Sequence, residues 1–149
     1  MADVSGGSKL KAALAEIGSR IRSAKEVEVG FIDRATYPDG TPVALVAAAN
    51  EFGTAKIPPR PFFRNMIREN SSKWPVNLKT ALKETGYDAA TSLGQLGKEI
   101  EDELQDSIRS NTPPPNSEST LKSKAKRHAS PRTLIDSGDM LNTVKHNVK

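Results

Sequence analysis

The sequence predicts an α+β fold, with several helices, including one long helix, packed on a small antiparallel sheet, a proline-rich arm and a long C-terminal loop. Apolar residues recur every three or four positions from about 88 to 110, as on one face of a long helix. Val27, Val29 and Phe31 alternate with other residues, as in a strand with one buried face. The 149 residues contain no internal repeat, so residues 1–149 are expected to form a single domain.

The first predicted helix follows a Gly/Ser-rich start over 1–7 that is expected to be flexible. It should run from about Ser8 to Lys25, with Ser8 as a plausible N-cap. Its apolar positions share one helical face: Leu10, Ala13, Leu14, Ile17 and Ile21. We expect this face to pack into the core, as in an ordinary amphipathic helix.

A strand over 27–31 and a turn at Tyr37–Gly40 come next, since Pro38 presets φ and Gly40 accepts a positive φ. Thr41 is then a candidate cap for a short, alanine-rich helix that would begin at Pro42 and end at Phe52. Its small side chains would let another backbone approach closely. That backbone belongs either to the same chain or to a neighbouring subunit.

The stretch 50–63 joins this helix to the next through a corner. Gly53 can end a helix by taking a positive φ. Three prolines then fix φ and remove backbone donors, at positions 58, 59 and 61. This composition predicts a stiff, extended arm that ends in Arg60 and the aromatic pair Phe62 and Phe63. Its two interpretations are a simple helix-to-helix connection and a preformed arm for a partner.

The helix that opens at Phe62 should kink or restart at Trp74-Pro75 and stop near Gly86. The long helix follows, with the apolar positions Leu93, Leu96, Ile100, Leu104 and Ile108. Its outer face carries an acidic run: Glu99, Glu101, Asp102, Glu103 and Asp106. Because no histidine or third ligand lies nearby in sequence, a solvated face or a patch for a basic neighbour is favoured over catalysis.

The last quarter holds the whole basic excess, with seven Lys/Arg against three Asp/Glu over 113–149 and a net charge of +4 for the chain. The clustered cations are Lys122, Lys124, Lys126, Arg127 and Arg132. We interpret 111–133 as a mobile basic loop, because it is too poor in apolar residues to repay its ordering entropy. It would lie beside nucleic acid or an acidic partner, or else be solvated. Beyond it, Asp136 or Ser137 would cap a short helix, and 144–148 would pair with 27–31 as an edge strand.

Composition also excludes several classes of function. There is no cysteine, no apolar run of about 20 residues and no secretion signal at the start, which predicts a cytoplasmic product without a membrane span. Nucleotide-binding glycine loops, nucleophile elbows and zinc-protease motifs are absent, and His128 and His146 stand apart. We therefore expect neither an enzyme nor a cofactor. With only 36% hydrophobic residues, the chain is expected to leave segments exposed or to complete its burial against partners.

Three ordered motifs resemble a known family. They are E-F-G with I-P-P-R-P-F-F over 51–63, P-N-S with T-L-x-x-K over 115–124, and L-I-D-S-G over 134–138. Their order and spacing are similar to those of the neck and tail-completion proteins of tailed bacteriophages, of the minor tail protein Z and virion-morphogenesis types. The resemblance spans residues 47–144, about two thirds of the chain.

This resemblance implies a structural virion protein, assembled in the host cytoplasm, that completes the tail or joins it to the head. By resemblance, six copies would form a ring. This ring would contact tail terminator or tail tube proteins on one side and head connector or stopper proteins on the other. The implied interface residues are Glu51, Phe52, Gly53, Ile57, Pro58, Pro59, Arg60, Pro61, Phe62, Phe63, Leu134, Ile135, Asp136 and Gly138. Phe62 and Phe63 are the expected anchors, and Arg60 is expected to pair with a carboxylate of the next copy. The alternative is a basic nucleic-acid-binding adaptor, in which the clustered cations contact DNA. A small hydrolase acting through the acidic run is a further rival.

Overall fold

The computed structural model describes residues 6–149 and has the predicted α+β architecture, with seven helices and a two-stranded sheet in that range. In chain order the elements are α1 (Gly6–Ile21), β1 (Val27–Gly30), α2 (Val43–Phe52), α3 (Phe62–Asn70), α4 (Trp74–Glu84), α5 (Ala89–Arg109), α6 (Glu118–Lys126), α7 (Asp139–Asn142) and β2 (Lys145–Val148).

The sheet joins the strand that follows α1 to the C-terminal strand. Strands β1 and β2 pair antiparallel, with Val27 opposite Val148 and Gly30 opposite Lys145. This confirms the pairing expected between the C-terminal stretch and the first strand. Both strands have four residues, and Phe31 lies just outside β1. Beyond the ladder, the amide of Lys25 donates to the carbonyl of Lys149 at 2.6 Å, which extends the pairing to the last residue.

Helix α5 is the centre of the core, and α3, α4 and both strands pack against it. It begins after Asp88, whose side chain accepts a hydrogen bond from the amide of Thr91. Its bounds confirm the long helix predicted from apolar spacing. Leu104 and Ile108 have no exposed surface. The core continues into Val43, Ala47, Phe62, Met66, Leu96, Ile100, Leu134, Met140 and Val144.

Gly97 lets the sheet lie close against α5. A Cβ atom at this position would come within 2.7 Å of both His146 Cδ2 and Val27 Cγ2, which is closer than carbon atoms can approach. The ring of His146 is held there by Glu101, since its Nδ1 lies 2.7 Å from Glu101 Oε2. Burial alone would raise the pKa of Glu101, but its hydrogen bonds with His146 and Lys98 lower it overall.

The chain restarts its helix at Trp74-Pro75, as predicted, with Pro75 in the first turn of α4. Two carboxylates of the acidic run hold α4 against α5. Glu103 accepts a hydrogen bond from the indole of Trp74 at 2.9 Å, and Glu99 accepts one from Asn77. Glu101, Asp102 and Asp106 pair with Lys98, His146 or Arg109. Glu99, Glu101 and Glu103 are therefore engaged within the chain, whereas Asp102 and Asp106 stay exposed, as on the solvated face that the sequence favoured.

Helix α1 differs from its prediction. It begins at Gly6, so Ser8 is not its N-cap, and it ends at Ile21 rather than Lys25. Gly6 and Gly7 of the expected flexible start are helical, and 1–5 lie outside the described residues. None of its residues is buried. The expectation of a core helix is wrong, because its apolar face stays largely exposed.

The C-terminal half of the fold is more regular than the sequence predicts. Residues 111–133 are not a continuous loop, since α6 occupies nine of them and Ser117 caps it by accepting from the amide of Thr120. The N-cap of α7 is Gly138, with φ 94°, and neither Asp136 nor Ser137 takes that position.

The predicted cap of α2 also differs from the structure. Pro42 rather than Thr41 stands at the N-cap of α2.

Replacing Gly97 with alanine should lower the free energy of unfolding by about 1–3 kcal/mol, because the added methyl overpacks the contact between helix and sheet. Gly94 is the matched control on the same helix, since its Cβ would meet only Val148 Cγ2, at 3.9 Å. Gly94→Ala should be neutral or stabilising by up to about 1 kcal/mol through helix propensity. Urea unfolding followed by circular dichroism measures both changes. Equal effects at the two positions would contradict the packing argument.

Candidate functional site

The corner between α2 and α3 is the first part of the candidate site. Gly53 ends α2 with φ 77°, and a Cβ there would lie 2.9 Å from the nitrogen of Pro59. The amide of Thr54 donates to the carbonyl of Ile57 at 2.8 Å, and that of Arg60 donates to the carbonyl of Asn50 at 2.6 Å. The prolines therefore stiffen a loop that folds back on its own chain, and the predicted arm does not extend from the body.

Glu51 ties the two helices of this corner together. Its side chain is only 7% exposed, and its carboxylate accepts hydrogen bonds from the amides of Phe63 at 2.9 Å and Arg64 at 3.3 Å. Those amides are unpaired donors of the first turn of α3, where the helix dipole favours a negative charge. Arg64 Nε adds an ion pair at 2.6 Å. A buried carboxylate thus caps α3 from the last turn of α2.

Arg60 points inward, toward the segment that carries the second motif. It is 6% exposed, and its guanidinium donates to the carbonyls of Pro114 at 2.8 Å and Pro115 at 3.4 Å and to Asn50 Oδ1 at 3.5 Å. Burial lowers the pKa of Arg60, although an arginine stays protonated. The expected pairing of Arg60 with a carboxylate of a neighbouring copy is wrong, because the side chain is enclosed and bound to neutral oxygens.

Lys124 connects the second motif to the third. It is 6% exposed, and its ammonium group donates to the carbonyls of Arg132 at 2.7 Å and Ile135 at 2.6 Å. Burial lowers the pKa of Lys124, and the nearby carboxylate of Asp136 opposes that shift. Asn116 reinforces the same connection by donating to the carbonyl of Pro131 at 3.1 Å. These bonds pin the chain after α6 against the helix itself.

The three motif segments meet around one cleft of about 480 Å³. Its walls come from the corner at 56–60, from 115–127 and from 133–140, together with Tyr37 and one face of α2. Burial and nearby aspartates raise the pKa of the Tyr37 hydroxyl. The buried cations of this cleft are already bound to carbonyl oxygens. In residues 6–149 no group of three or more His, Cys, Asp or Glu side chains is arranged to hold a metal ion.

The predicted interface residues divide into inward and outward sets. Phe62 is 1% exposed and packs edge-to-face with Phe31, with ring centroids 6.5 Å apart, so its assignment as an interface anchor is wrong. Glu51, Arg60 and Leu134 are also buried. Gly53, Ile57, Pro61, Phe63, Ile135 and Gly138 are half-buried. Phe52, Pro58, Pro59 and Asp136 are exposed.

The basic cluster is not a continuous cationic surface. Lys124 faces inward, Arg127 pairs with Asp136 at 2.7 Å, and Arg132 donates to the carbonyl of Arg109 at 2.9 Å. Lys122 and Lys126 are exposed on α6. The prediction that all five cations could contact DNA is therefore wrong for Lys124, whose charged end has no access to a partner.

Two apolar surfaces are uncovered in the structure, and the sequence analysis assigned a function only to part of the second, as an interface at Phe52. One is the stripe on α1, where Leu10 is 62% and Leu14 is 59% exposed. The other surrounds Phe52, which is 69% exposed. The apolar spacing of α1 predicted the stripe itself, but spacing does not reveal whether such a face is covered. The alanine-rich composition of α2 was the available signal for a surface open to close approach.

No protein-family model, curated protein or solved structure matches this chain. The resemblance to tail-completion proteins therefore stays a prediction that depends on the three motifs. Across residues 6–149, none of the helices combines the length and apolarity needed to cross a membrane.

We predict that Glu51→Gln destabilises the fold by about 1.5–3 kcal/mol, because the corner loses charge-assisted hydrogen bonds and an amide nitrogen is placed against amide donors. Glu69→Gln on α3 is the control, since that side chain is 67% exposed and lies 3.9 Å from its only ionic neighbour among the described residues, Arg68. It should change stability by less than about 0.5 kcal/mol. Chemical denaturation of both variants provides the comparison. A Glu51→Gln variant as stable as the control would exclude the capping role.

Proposed function

We propose that this chain is a structural protein of a tailed phage or prophage that acts at the head–tail junction. It completes the tail or joins it to the head connector, through ring assembly and interfaces rather than catalysis. The ordered motifs at 51–63, 115–124 and 134–138 support this proposal by their resemblance to tail-completion proteins. The proposed partners are further copies of the chain, tail terminator or tail tube proteins and connector or stopper proteins.

The observation that carries the proposal is the amount of uncovered apolar surface on a small, polar chain. Leu10, Leu14, Leu45 and Phe52 each expose about three fifths or more of their surface. Scattered apolar residues are normal on a protein surface, but those on α1 share one face of one helix. Surfaces of this kind are typical of proteins that bury them against partners.

The motif residues support an assembly role in another way. Glu51, Arg60 and Lys124 hold the corner, the 113–117 segment and the chain after α6 in fixed positions through buried hydrogen bonds. A surface fixed before binding loses less conformational entropy on association. In this proposal the motifs therefore preserve the shape of the assembling subunit, while other residues make the contacts.

Electron microscopy of a lysate from the parent phage, with this gene interrupted, tests the proposal. DNA-filled heads beside separate tails are the expected result, because the joint between them cannot form. Supplying the intact gene in trans should restore complete particles, which controls for effects on neighbouring genes. Complete and infectious particles without the protein would reject the head–tail role.

A further inference from the structure

Helix α1 lies outside the core and is anchored only near its C-terminal end. Its 16 residues span about 24 Å, none of them is buried, and the one element it chiefly meets is α5. The anchor follows the helix: Ser23 Oγ accepts a hydrogen bond from the amide of Ala90 at 3.0 Å, and Ala24 is buried. Most of α1 is therefore exposed in the part of the chain that the structure describes.

The uncovered face of α1 is a straight apolar stripe. Leu10, Leu14, Ile17 and Ile21 follow one another at steps of four, three and four residues, and are 62%, 59%, 37% and 48% exposed. This spacing places all four on one side of the helix. An isolated helix of this length is only marginally stable in water, and most helical stability in proteins comes from packing of such a face. The stripe is therefore suited to a surface outside its own subunit.

A matching apolar hollow lies between α2 and the start of α3. It has a volume of about 250 Å³ and is bordered by Ala44, Ala48, Phe52 and Phe63, with almost no polar surface. An apolar cavity of about 150 Å³ already accommodates a benzene molecule, so this hollow has room for a leucine or isoleucine side chain. The two alanines allow the backbone of an incoming helix to approach closely.

We propose that α1 of one copy docks its stripe into the α2–α3 hollow of a second copy. Charge favours this arrangement over pairing of two α1 helices. The helix carries Lys9, Lys11 and Arg20 against Glu16, so an α1–α1 pair would bring together two helices of net positive charge. The only ionic residue of α2 is Glu51, which is buried and neutralised by Arg64. Arg64 also borders the hollow, but its charge is balanced by Glu51, so a basic helix meets no net positive charge there.

The small size of this contact favours a closed ring over an isolated dimer. A stable interface buries about 800 Å² on each partner and involves roughly 20–30 residues a side, whereas α1 has 16 residues in all. In a head-to-tail arrangement each copy makes two contacts, one through its helix and one through its hollow. Such heterologous contacts close into a ring when the rotation between copies permits. This inference rests on the self-association in the proposed function and names the surfaces that would mediate it.

Disulfide trapping tests this contact, and the chain contains no cysteine of its own. Leu14→Cys protein mixed with Ala48→Cys protein should form a cross-linked dimer under mild oxidation, seen on a non-reducing gel. A chain with both substitutions should form a ladder of higher species. Ala12→Cys is the matched control, because Ala12 is exposed on the opposite face of α1, and with Ala48→Cys it should give no cross-link above background.

Other cross-linking results would overturn the inference. Dimers of Leu14→Cys alone, in preference to the mixture, would show that α1 pairs with itself. No cross-link from a protein that is nonetheless oligomeric would place the interface on another surface, while leaving the proposed function standing. Conversely, specific cross-links together with complete particles in the gene-interrupted lysate would reject the head–tail role but not this contact.

Light scattering on single charge substitutions gives a second test. Leu14→Lys should reduce the mass of the assembled protein to that of the monomer, because an ammonium group would be buried unpaired in an apolar hollow bordered by Arg64. Ala12→Lys should retain the wild-type mass. Both side chains are exposed in the subunit, so the thermal unfolding of the monomer should be nearly unchanged. A wild-type protein that is monomeric at every concentration measured, or equal masses for the two variants, would overturn the inference.

Discussion

The packing of nearly every layer against α5 is the constraint on which this structure depends. A chain with only 36% hydrophobic residues can fill one small core, and α3, α4 and both strands share that single helix to do so. The contact between the sheet and α5 is closest at Gly97, where a Cβ atom would prevent the sheet from packing against the helix. Strands β1 and β2, which are far apart in sequence, are brought together on this helix, and packing against it supports a pair of four-residue strands.

Away from α5, buried charged groups replace apolar packing. Glu51 holds α2 to α3, Arg60 holds the corner to the proline segment, and Lys124 holds α6 to the chain after it. Each buried charge has oxygen or nitrogen partners in the described part of the chain, where no buried side-chain polar atom lacks one. Removing one partner of such a group leaves a desolvated charge, so the corner depends on the whole set. The three motifs are thus connected physically as well as by their order in the sequence.

The helices and helix ends that depend on a few neighbouring residues could be predicted from the sequence. Apolar spacing predicted α5, Trp74-Pro75 predicted the break between α3 and α4, and Gly53 predicted the end of α2, because each depends on backbone chemistry within a few residues. Local rules could not predict that the side chains of Arg60 and Phe62 point into the protein. Their burial depends on the carbonyls of Pro114 and Pro115 and on Phe31, which are distant in sequence. The same limit explains the cleft, whose walls come from segments that are distant in sequence.

The exposed position of α1 has a consequence for assembly. A 16-residue helix that packs poorly on its own subunit gains stability when its apolar face is covered, so helix formation and association are thermodynamically linked. In dilute subunits this helix would be only marginally stable, and the proposed assembly would stabilise it. The hollow beside Phe52 imposes no such cost, since α2 and α3 are already fixed by Glu51. In the proposed assembly, one partner surface is therefore formed before contact and the other is stabilised by it.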